Sequence, residues 1–251
     1  MKIRNPNSRF KIKPKRSDLV LEVGGGHNPH PRSNIVVDKF HDSNYHRSDD
    51  VKVHKDQLFL IADGEHLPFK DNAFDYVINN HVIEHVPDPA QFFDELSRVA
   101  KRGYVEAPSL IGEHLIPKES HTWGILEIDD KIVMMKKSNL SYIPKLDFGD
   151  LLLYFIAQNS IGFKILQKTY PNLLTVRYEW QDKIDYIIEP SDPELRSYFM
   201  QTWDMEKITK VFKRKSKVEE LVTSVAAFFE VLGEFAFRKV FKSRFEKKAV
   251  F

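Results

Sequence analysis

The stretch DLVLEVGGGHNP, residues 18–29, most constrains how this chain can fold. An apolar run rich in β-branched residues ends at three glycines, Gly24 to Gly26, as a buried parallel strand does where it enters a loop. Glycine adopts positive φ readily and has no side chain, so the backbone of this loop can pass close to a ligand. In open α/β sheets ligands bind at this carboxyl end of the strands. A purely structural turn explains the glycines about as well, and the rest of the chain has to decide.

Further segments continue an α/β pattern. The residues between the glycines and the next apolar run include two prolines, so they predict a short turn in place of a first crossover helix. Asp88 is positioned to cap a helix, and Gly103 to close it. The predicted strands are 33–38, 58–62, 74–80 and 104–107, the predicted helix is 89–101, and residues 41–56 are predicted to form a polar loop.

Asp38 ends the second predicted strand, which gives the strand–glycine turn–strand–acid order of nucleotide-binding βαβ units. In such units the acid accepts hydrogen bonds from ribose hydroxyls. Here the acid follows the glycines at a shorter distance than the usual spacing of about 20 residues. A shortened crossover also weakens a dinucleotide interpretation, because pyrophosphate binding relies on a helix N-terminus.

The composition excludes several classes of protein. The chain has 251 residues, of which 42% are hydrophobic and 29% charged, as is ordinary for a globular protein. A formal net charge of +2 does not indicate a polyanionic partner, and nucleic acid is not expected to be one. The absence of cysteine excludes disulfides, thiolate zinc sites and a cysteine nucleophile. With neither a secretory signal nor an apolar run of about 18 residues, we expect a soluble, cytoplasmic protein.

Five motifs in order resemble the class I S-adenosylmethionine (SAM) methyltransferases, and most closely their type 11 group. The resemblance covers residues 18–108, and the matching segments are 21–26 with Asp38, 63–69, 74–78, 84–89 and 95–99. It implies an α/β fold with a Rossmann-like seven-stranded sheet, SAM as the cofactor and methyl transfer as the activity. The acceptor would be oxygen or nitrogen of a small metabolite, a sugar or a lipid-linked precursor.

The resemblance also implies residues that hold the methionine end of SAM. These are Glu22, the backbone of Gly24 and Gly26, and Asn80 just past the fourth strand. A sulfonium cation with an α-amino group suits a pocket rimmed by acids.

At the nucleoside end, the resemblance implies that Asp38 binds the ribose hydroxyls. Asp63 would lie against the adenine, together with the backbone of Gly64 and Glu65.

Histidines are the candidate catalytic residues. Transfer to a hydroxyl gains from a base with a near-neutral pKa, which is the range of histidine. His85 is the first candidate base and His121 the second, and a structural role remains open for each. They belong to a group that could face the carboxyl edge of the sheet, together with His27, His81 and His114.

His81, Glu84 and His85 match the pattern His-x-x-Glu-His, which on a helix would present two imidazoles to zinc. A zinc-dependent hydrolase is therefore an alternative. Pro87 and Pro89 end any helix directly after this motif, however, so we expect no metal here.

The remaining segments suggest how the chain is divided. We predict a basic leader over 1–17, a SAM-binding domain over 18–190 and a helical region over 191–251. An insert over about 109–170 would contain a β-hairpin (123–128 and 131–135) and an apolar helix (147–157). The insert would form the acceptor pocket or act as a packing extension. Segments 173–180 and 184–188 are predicted to be the final antiparallel strand pair of the sheet.

Both termini carry basic residues and could contact partners. The leader is interpreted either as an arm for nucleic acid or anionic lipid, or as a solvated segment beside the sheet edge. The tail, 218–251, combines an apolar stripe with basic ends, which suits peripheral membrane contact, or docking and homodimerisation. A catalytically weak SAM-fold module that binds RNA or membrane is thus a further alternative to the enzyme.

Overall fold

The computed structural model describes residues 1–40, 50–142 and 145–245, with side chains described through residue 235. Its strands are β1 Lys2–Arg4, β2 Val20–Val23, β3 Ile35–Asp38, β4 Leu58–Ile61, β5 Tyr76–Asn80, β6 Arg102–Pro108, β7 Trp123–Ile128, β8 Lys131–Lys136, β9 Thr175–Gln181 and β10 Tyr186–Ile188. Its helices are α1 Pro89–Val99, α2 Leu110–Leu115, α3 Ala157–Asn159, α4 Ile161–Thr169, α5 Pro193–Met200, α6 Met205–Val211 and α7 Lys217–Phe245. A π-helical segment, Asp150–Ile156, runs directly into α3.

Seven strands form one sheet in the order β1-β9-β6-β5-β2-β3-β4. Strands β2 to β6 are parallel, and β9 runs antiparallel to both β6 and β1. Every residue of β2 is buried, as expected for the central strand of a parallel sheet covered on both faces. The predicted α/β fold with a Rossmann-like seven-stranded sheet is confirmed.

The predicted final strand pair is wrong in one member. β9 joins the large sheet, but β10 leaves it and pairs in parallel with β8, in a separate three-stranded sheet ordered β10-β8-β7. The edge of β9 is covered by β1 instead, and Gln181 N donates to Met1 O at 2.9 Å. Part of the predicted leader is thus a strand, and it protects a sheet edge that would otherwise expose unpaired backbone groups.

The predicted hairpin is confirmed in β7 and β8. Its two turn residues, Asp129 and Asp130, have φ values of 49° and 62°. Positive φ at both central positions is the geometry of the two-residue turn that matches the twist of the flanking strands.

Helix α1 begins as predicted, because the Asp88 side chain accepts a hydrogen bond from Gln91 N. The prediction that Gly103 closes this helix is wrong. The helix ends at Val99, and Gly103 lies inside β6, where an added Cβ would stand 2.6 Å from the Val77 carbonyl oxygen. Close approach of two strands therefore explains this glycine.

The segment between β2 and β3 consists of turns and bends. No helix forms between β2 and β3, as the prolines predicted. Residues 41–49 of the predicted polar loop lie outside the described residues.

Helix α7 packs on α4, with Ala227 and Val231 buried and Lys168 paired with Glu230 at 3.0 Å. Residues 246–251 of the predicted tail are also outside the described part. Within the described residues, no helix has the length and apolar character needed to cross a membrane.

Candidate active site

A cavity of about 1060 Å³ opens at the carboxyl ends of the parallel strands. It lies where the strand order reverses, because the chain continues from β2 to β3 on one side and reaches β5 on the other. This reversal point is the position at which open α/β sheets bind ligands. The cavity extends from the glycine loop to the segment after β6. It therefore borders predicted cofactor-binding residues as well as the predicted catalytic histidines.

The glycine loop forms one wall of the cavity. Gly24 and Gly26 have φ values of 77° and 51°, which disfavour other residues, and all three glycines line the cavity. Gly25 is required for a different reason, since an added Cβ would stand 2.4 Å from Val36 Cγ1. The loop backbone therefore borders the cavity directly, and Gly25 belongs to it although it was not among the predicted binding residues.

The Glu22 side chain stabilises the turn that follows the glycine loop. Its carboxylate is fully buried and is not among the cavity-lining groups. His30 N and Ser33 Oγ donate to Glu22 Oε2 at 2.7 and 2.6 Å, and burial raises the pKa of this carboxyl. Glu22 thus fixes the turn that replaces the first helix. Its predicted contact with the methionine end stays a prediction.

Asp38 and Asp63 lie together at the ends of β3 and β4 and line the cavity. Asp38 Oδ1 accepts from Phe40 N at 3.0 Å, and Lys39 Nζ donates to Asp63 Oδ2 at 2.6 Å. Burial opposes ionisation of Asp63, but the hydrogen bond from Lys39 lowers its pKa below the ordinary value. The structure thus brings together two carboxylates that the sequence placed 25 residues apart.

Gly64 and Glu65 continue this wall of the cavity. A Cβ at Gly64 would stand 2.3 Å from the Phe92 ring, so the loop packs tightly on α1. The Glu65 side chain accepts from Asp88 N at 2.6 Å, where a carboxylate also interacts favourably with the helix dipole. Both residues line the cavity, and the Glu65 carboxylate fixes the start of α1; their predicted contact with the adenine stays a prediction.

Asn80, the last residue of β5, supplies an unsatisfied acceptor to the cavity. Its Oδ1 is buried and has no hydrogen-bond partner in the described residues. A buried polar atom without a partner is costly, so this oxygen suits a donor from a ligand. The next residue, His81, has φ 55° and turns the chain sharply toward the opposite wall.

His81 lies between two carboxylates. Its Nδ1 is 3.2 Å from Glu84 Oε1 and its Nε2 is 3.6 Å from Glu106 Oε1. The His81 side chain is 45% exposed, and the two carboxylates hold its pKa well above the ordinary value. Burial opposes ionisation of Glu106, but contact with His81 and the charge of Arg177 lower its pKa to about 2.

His85 and His121 meet beyond this cluster, with ring centroids 4.8 Å apart. His85 Nδ1 is 2.9 Å from Ser120 O, and His121 Nδ1 is 2.5 Å from Glu113 Oε2. Lys137 Nζ donates to the other oxygen of Glu113 at 2.5 Å. The two predicted catalytic histidines are therefore neighbours, and both line the cavity.

The His-x-x-Glu-His pattern does not form the helix that a two-histidine zinc motif requires. Only Ile83–His85 is helical, as a single 3₁₀ turn, and His81 precedes it. Among the described residues, the group that could hold a metal ion is Glu84, His85 and His121, whose ligand atoms lie within 4.8 Å of one another. His81 of the sequence motif is not a member.

Several cavity residues were missed by the sequence analysis. Glu106 had a usable signal, since an acid near the carboxyl end of a predicted strand resembles Asp38. Arg9 comes from the leader, and its guanidinium donates to Asn28 O at 2.8 Å. Of the predicted histidine group, His114 does not line the cavity. It stacks with Tyr142 instead.

Apolar side chains border the outer part of the cavity. Ile116, Leu153 and Tyr154 line it, and the π-helical segment that carries the last two also exposes Leu151 and Phe155. The predicted helix over 147–157 is thus present in part, but most of its apolar side chains are exposed. The chain just before it lies against the end of α2, since Phe148 N donates to Leu115 O at 3.0 Å.

A family model described as a methyltransferase domain matches residues 39–105. The chain is 26% identical over 190 residues to a sterol 24-C-methyltransferase of Schizosaccharomyces pombe, covering 71% of this chain and 43% of that relative. It is 37% identical over 78 residues to norajmaline N-methyltransferase of Rauvolfia serpentina, covering 31% of this chain and 26% of that relative. Among solved structures, a SAM-dependent methyltransferase of Methanosarcina mazei matches with a TM-score of 0.31 and 21% identity, over 41% of this chain and 57% of that one. The chain thus spans less than half the length of both curated relatives.

Proposed function

Because the chain carries a class I SAM-dependent methyltransferase domain, we propose that it transfers a methyl group from SAM to oxygen or nitrogen of a small or lipid-linked acceptor. One observation supports this proposal above the others. A single cavity joins the glycine loop, Asp38 and Asp63 at one end to His85 and His121 at the other. A two-substrate transfer needs such a continuous space, with cofactor and acceptor side by side.

The residues at the first end fit SAM. The backbone of Gly24 and Gly26 leaves room for the methionine portion, and Asn80 Oδ1 can accept from its ammonium group. Asp38 would accept hydrogen bonds from the ribose hydroxyls, and Asp63, which lines the same cavity, would lie against the adenine. When bound, SAM supplies an electrophilic methyl group carried on a sulfonium.

The chain's own residues would orient the reaction. The acceptor's oxygen or nitrogen bonds to the methyl carbon as the carbon–sulfur bond breaks, with the bonding electrons passing to sulfur. The proton of the acceptor passes to His85 or His121, which we assign as the bases and which line the cavity. Apolar walls exclude water and favour alignment of the two reactants.

The acceptor is proposed to have an apolar portion. Ile116, Leu153 and Tyr154 line the cavity, and the side chains of Tyr154 and Phe155 are 59% and 65% exposed. Exposed apolar groups at a cavity mouth favour a ligand or surface of similar character. A lipid-linked acceptor fits these walls better than a free sugar does.

Calorimetry with S-adenosylhomocysteine tests the cofactor assignment. We expect saturable one-to-one binding by the wild type and at least tenfold weaker binding by Asp38→Asn. Asp56→Asn, at an exposed position outside the cavity, is the matched control and should bind like the wild type. Binding of NADH without binding of S-adenosylhomocysteine would overturn the proposal.

A labelled methyl group tests the acceptor class. The protein is incubated with methyl-labelled SAM and either a lipid extract or a water-soluble metabolite extract. We expect label in organic-soluble products, and less of it with His85→Ala at unchanged S-adenosylhomocysteine affinity. Label confined to the aqueous products would refute the apolar acceptor while leaving methyl transfer intact.

A further inference from the structure

Glu84, His85 and His121 form a compact group at the acceptor end of the cavity. Glu84 and His85 belong to the 3₁₀ turn after β5, whereas His121 lies in the loop that leads into β7. The two segments are tied together, since Thr122 N donates to Glu84 O at 2.8 Å. One ligand-type atom from each side chain lies within 4.8 Å of the others.

The hydrogen bonds fix which ring nitrogen of each histidine carries a proton. A carbonyl oxygen can only accept, so the contact of His85 Nδ1 with Ser120 O places the proton on Nδ1. The contact of His121 Nδ1 with the Glu113 carboxylate does the same. In the neutral rings the lone pair is therefore on Nε2, so Nε2 is the ring atom able to bind a metal ion. A carboxylate or carbonyl behind an imidazole is the usual support of a histidine ligand.

Glu84 adds an oxygen that lacks a partner. Its side chain is 1% exposed, and Oε1 is engaged with His81. Oε2 is buried without a hydrogen-bond partner in the described residues, although Glu84 lines the cavity. Leaving a charged group's oxygen buried and unpaired is costly, so a cation beside it would satisfy it.

We propose that Glu84, His85 and His121 bind one divalent first-row transition-metal ion. Two imidazoles and one carboxylate suit zinc, iron(II) or manganese(II) better than magnesium or calcium, which prefer oxygen ligands. Ligand atoms of a tetrahedral ion stand about 3.4 Å apart at bond lengths of ~2.1 Å. The present spacing of up to 4.8 Å is more open, so binding has to draw the three side chains together.

Three protein ligands leave coordination positions free on the cavity side. The role of the ion rests on the proposed function: an acceptor oxygen bound there would lose its proton more readily, because a divalent ion lowers the pKa of a bound hydroxyl. His85 and His121 would then activate the acceptor through the ion. This favours oxygen over nitrogen as the atom that is methylated.

Titration of metal-stripped protein with Zn²⁺, Mn²⁺ and Mg²⁺ tests the site. We expect about one equivalent of Zn²⁺ or Mn²⁺ to bind, with Mg²⁺ weaker. His121→Gln and Glu84→Gln should each lower the affinity at least tenfold, and Glu113→Gln by about 10- to 100-fold through loss of support for His121. His114→Gln, which changes a histidine outside the cavity, is the control. With Co²⁺, the wild type and control should give visible absorption bands that His121→Gln lacks.

Binding that is equal in His121→Gln and the control, or no saturable binding by the wild type, would overturn the site. Circular dichroism and thermal unfolding establish that each variant is folded before it is titrated. S-adenosylhomocysteine binding is measured in parallel, so the two proposals fail separately. Metal binding without S-adenosylhomocysteine binding supports the ion site and refutes the methyltransferase proposal, and the reverse result refutes the ion site alone.

Discussion

Gly24 shows most directly how one residue connects fold and function. Its φ of 77° places it in the left-handed region, and an added Cβ would stand 2.0 Å from Val82 Cγ2. Its N–H donates to Val37 O at 2.7 Å, which joins β2 to β3 at the cavity wall. Backbone conformation and space therefore both require glycine where the chain passes the proposed cofactor.

We expect Gly24→Ala to lower the free energy of unfolding by about 1–3 kcal/mol, because alanine is strained at positive φ. The displaced loop should also weaken S-adenosylhomocysteine binding at least tenfold. Urea unfolding and calorimetry measure the two effects. Gly233→Ala is the matched control, since nothing lies within 4 Å of its added Cβ. Because residue 233 lies within a helix, Gly233→Ala should stabilise the protein by up to ~1 kcal/mol and leave binding unchanged. Wild-type affinity of Gly24→Ala for S-adenosylhomocysteine would contradict the prediction.

At the scale of elements, α1 connects the sheet to the loop that carries Asp63. Glu95 on this helix accepts from Leu67 N at 2.7 Å and pairs with Arg98 at 2.6 Å. Arg98 also donates to the carbonyls of Leu67 and Phe69. One buried carboxylate and one arginine thus hold the segment after β4 against α1.

This carboxylate predicts a pH-dependent stability. The hydrogen bond from Arg98 lowers the pKa of Glu95 below its ordinary value of 4.5. Because this pKa is lower in the folded state, ionised Glu95 contributes to the free energy of unfolding above pH 4.5. The contribution is lost as the pH falls through the lowered value. Glu95→Gln should therefore destabilise by about 1–3 kcal/mol at pH 7 and by less at pH 3. Urea unfolding at several pH values measures the effect, and Glu119→Gln, at an exposed position, is the control. A difference in unfolding free energy between Glu95→Gln and the wild type that does not change with pH would refute the prediction.

The elements also show what could be predicted from the sequence. The strands β2, β3 and β5 and the cap of α1 depend on local patterns, and the structure contains them where those patterns lie. The places of β1 and β10 depend on which strand covers the edge of β9, a competition between segments about 180 residues apart.

In the candidate site too, some features follow from the order of the strands, and others depend on contacts between distant segments. Asp38 and Asn80 end strands and Asp63 follows shortly after β4, so topology brings them to one edge of the sheet. The contact between His85 and His121 depends on how the loop before β7 folds back. The support of His121 by Glu113 depends on the orientation of the short helix α2. Neither contact has a periodic signal in the sequence.

For the whole molecule, α7 leaves an apolar surface without a partner in the described structure. One side of the helix packs on α4 through Ala227 and Val231, whereas Val222 and Phe229 are 62% and 64% exposed. Other exposed apolar residues of the same helix are Leu221, Val225, Phe228, Leu232 and Phe235. A contiguous surface of this kind usually marks an interaction site.

We expect this surface to bind a second copy of the chain. Glu219 and Glu220 lie in the first turn of α7, and Glu234 is half-exposed beside its apolar residues. Glu234 is paired with Lys168, and α7 also carries basic residues in its sequence, so charge does not decide between lipid and protein. Burial of the exposed apolar side chains against those of a second copy is the contact that we expect. Sedimentation velocity should show a dimer for the wild type and a monomer for Phe229→Glu, with thermal unfolding unchanged because the side chain is exposed. Met205→Glu makes the same change at a 70% exposed methionine on α6 and should remain dimeric. A monomeric wild type that floats with anionic vesicles would instead assign the surface to the membrane.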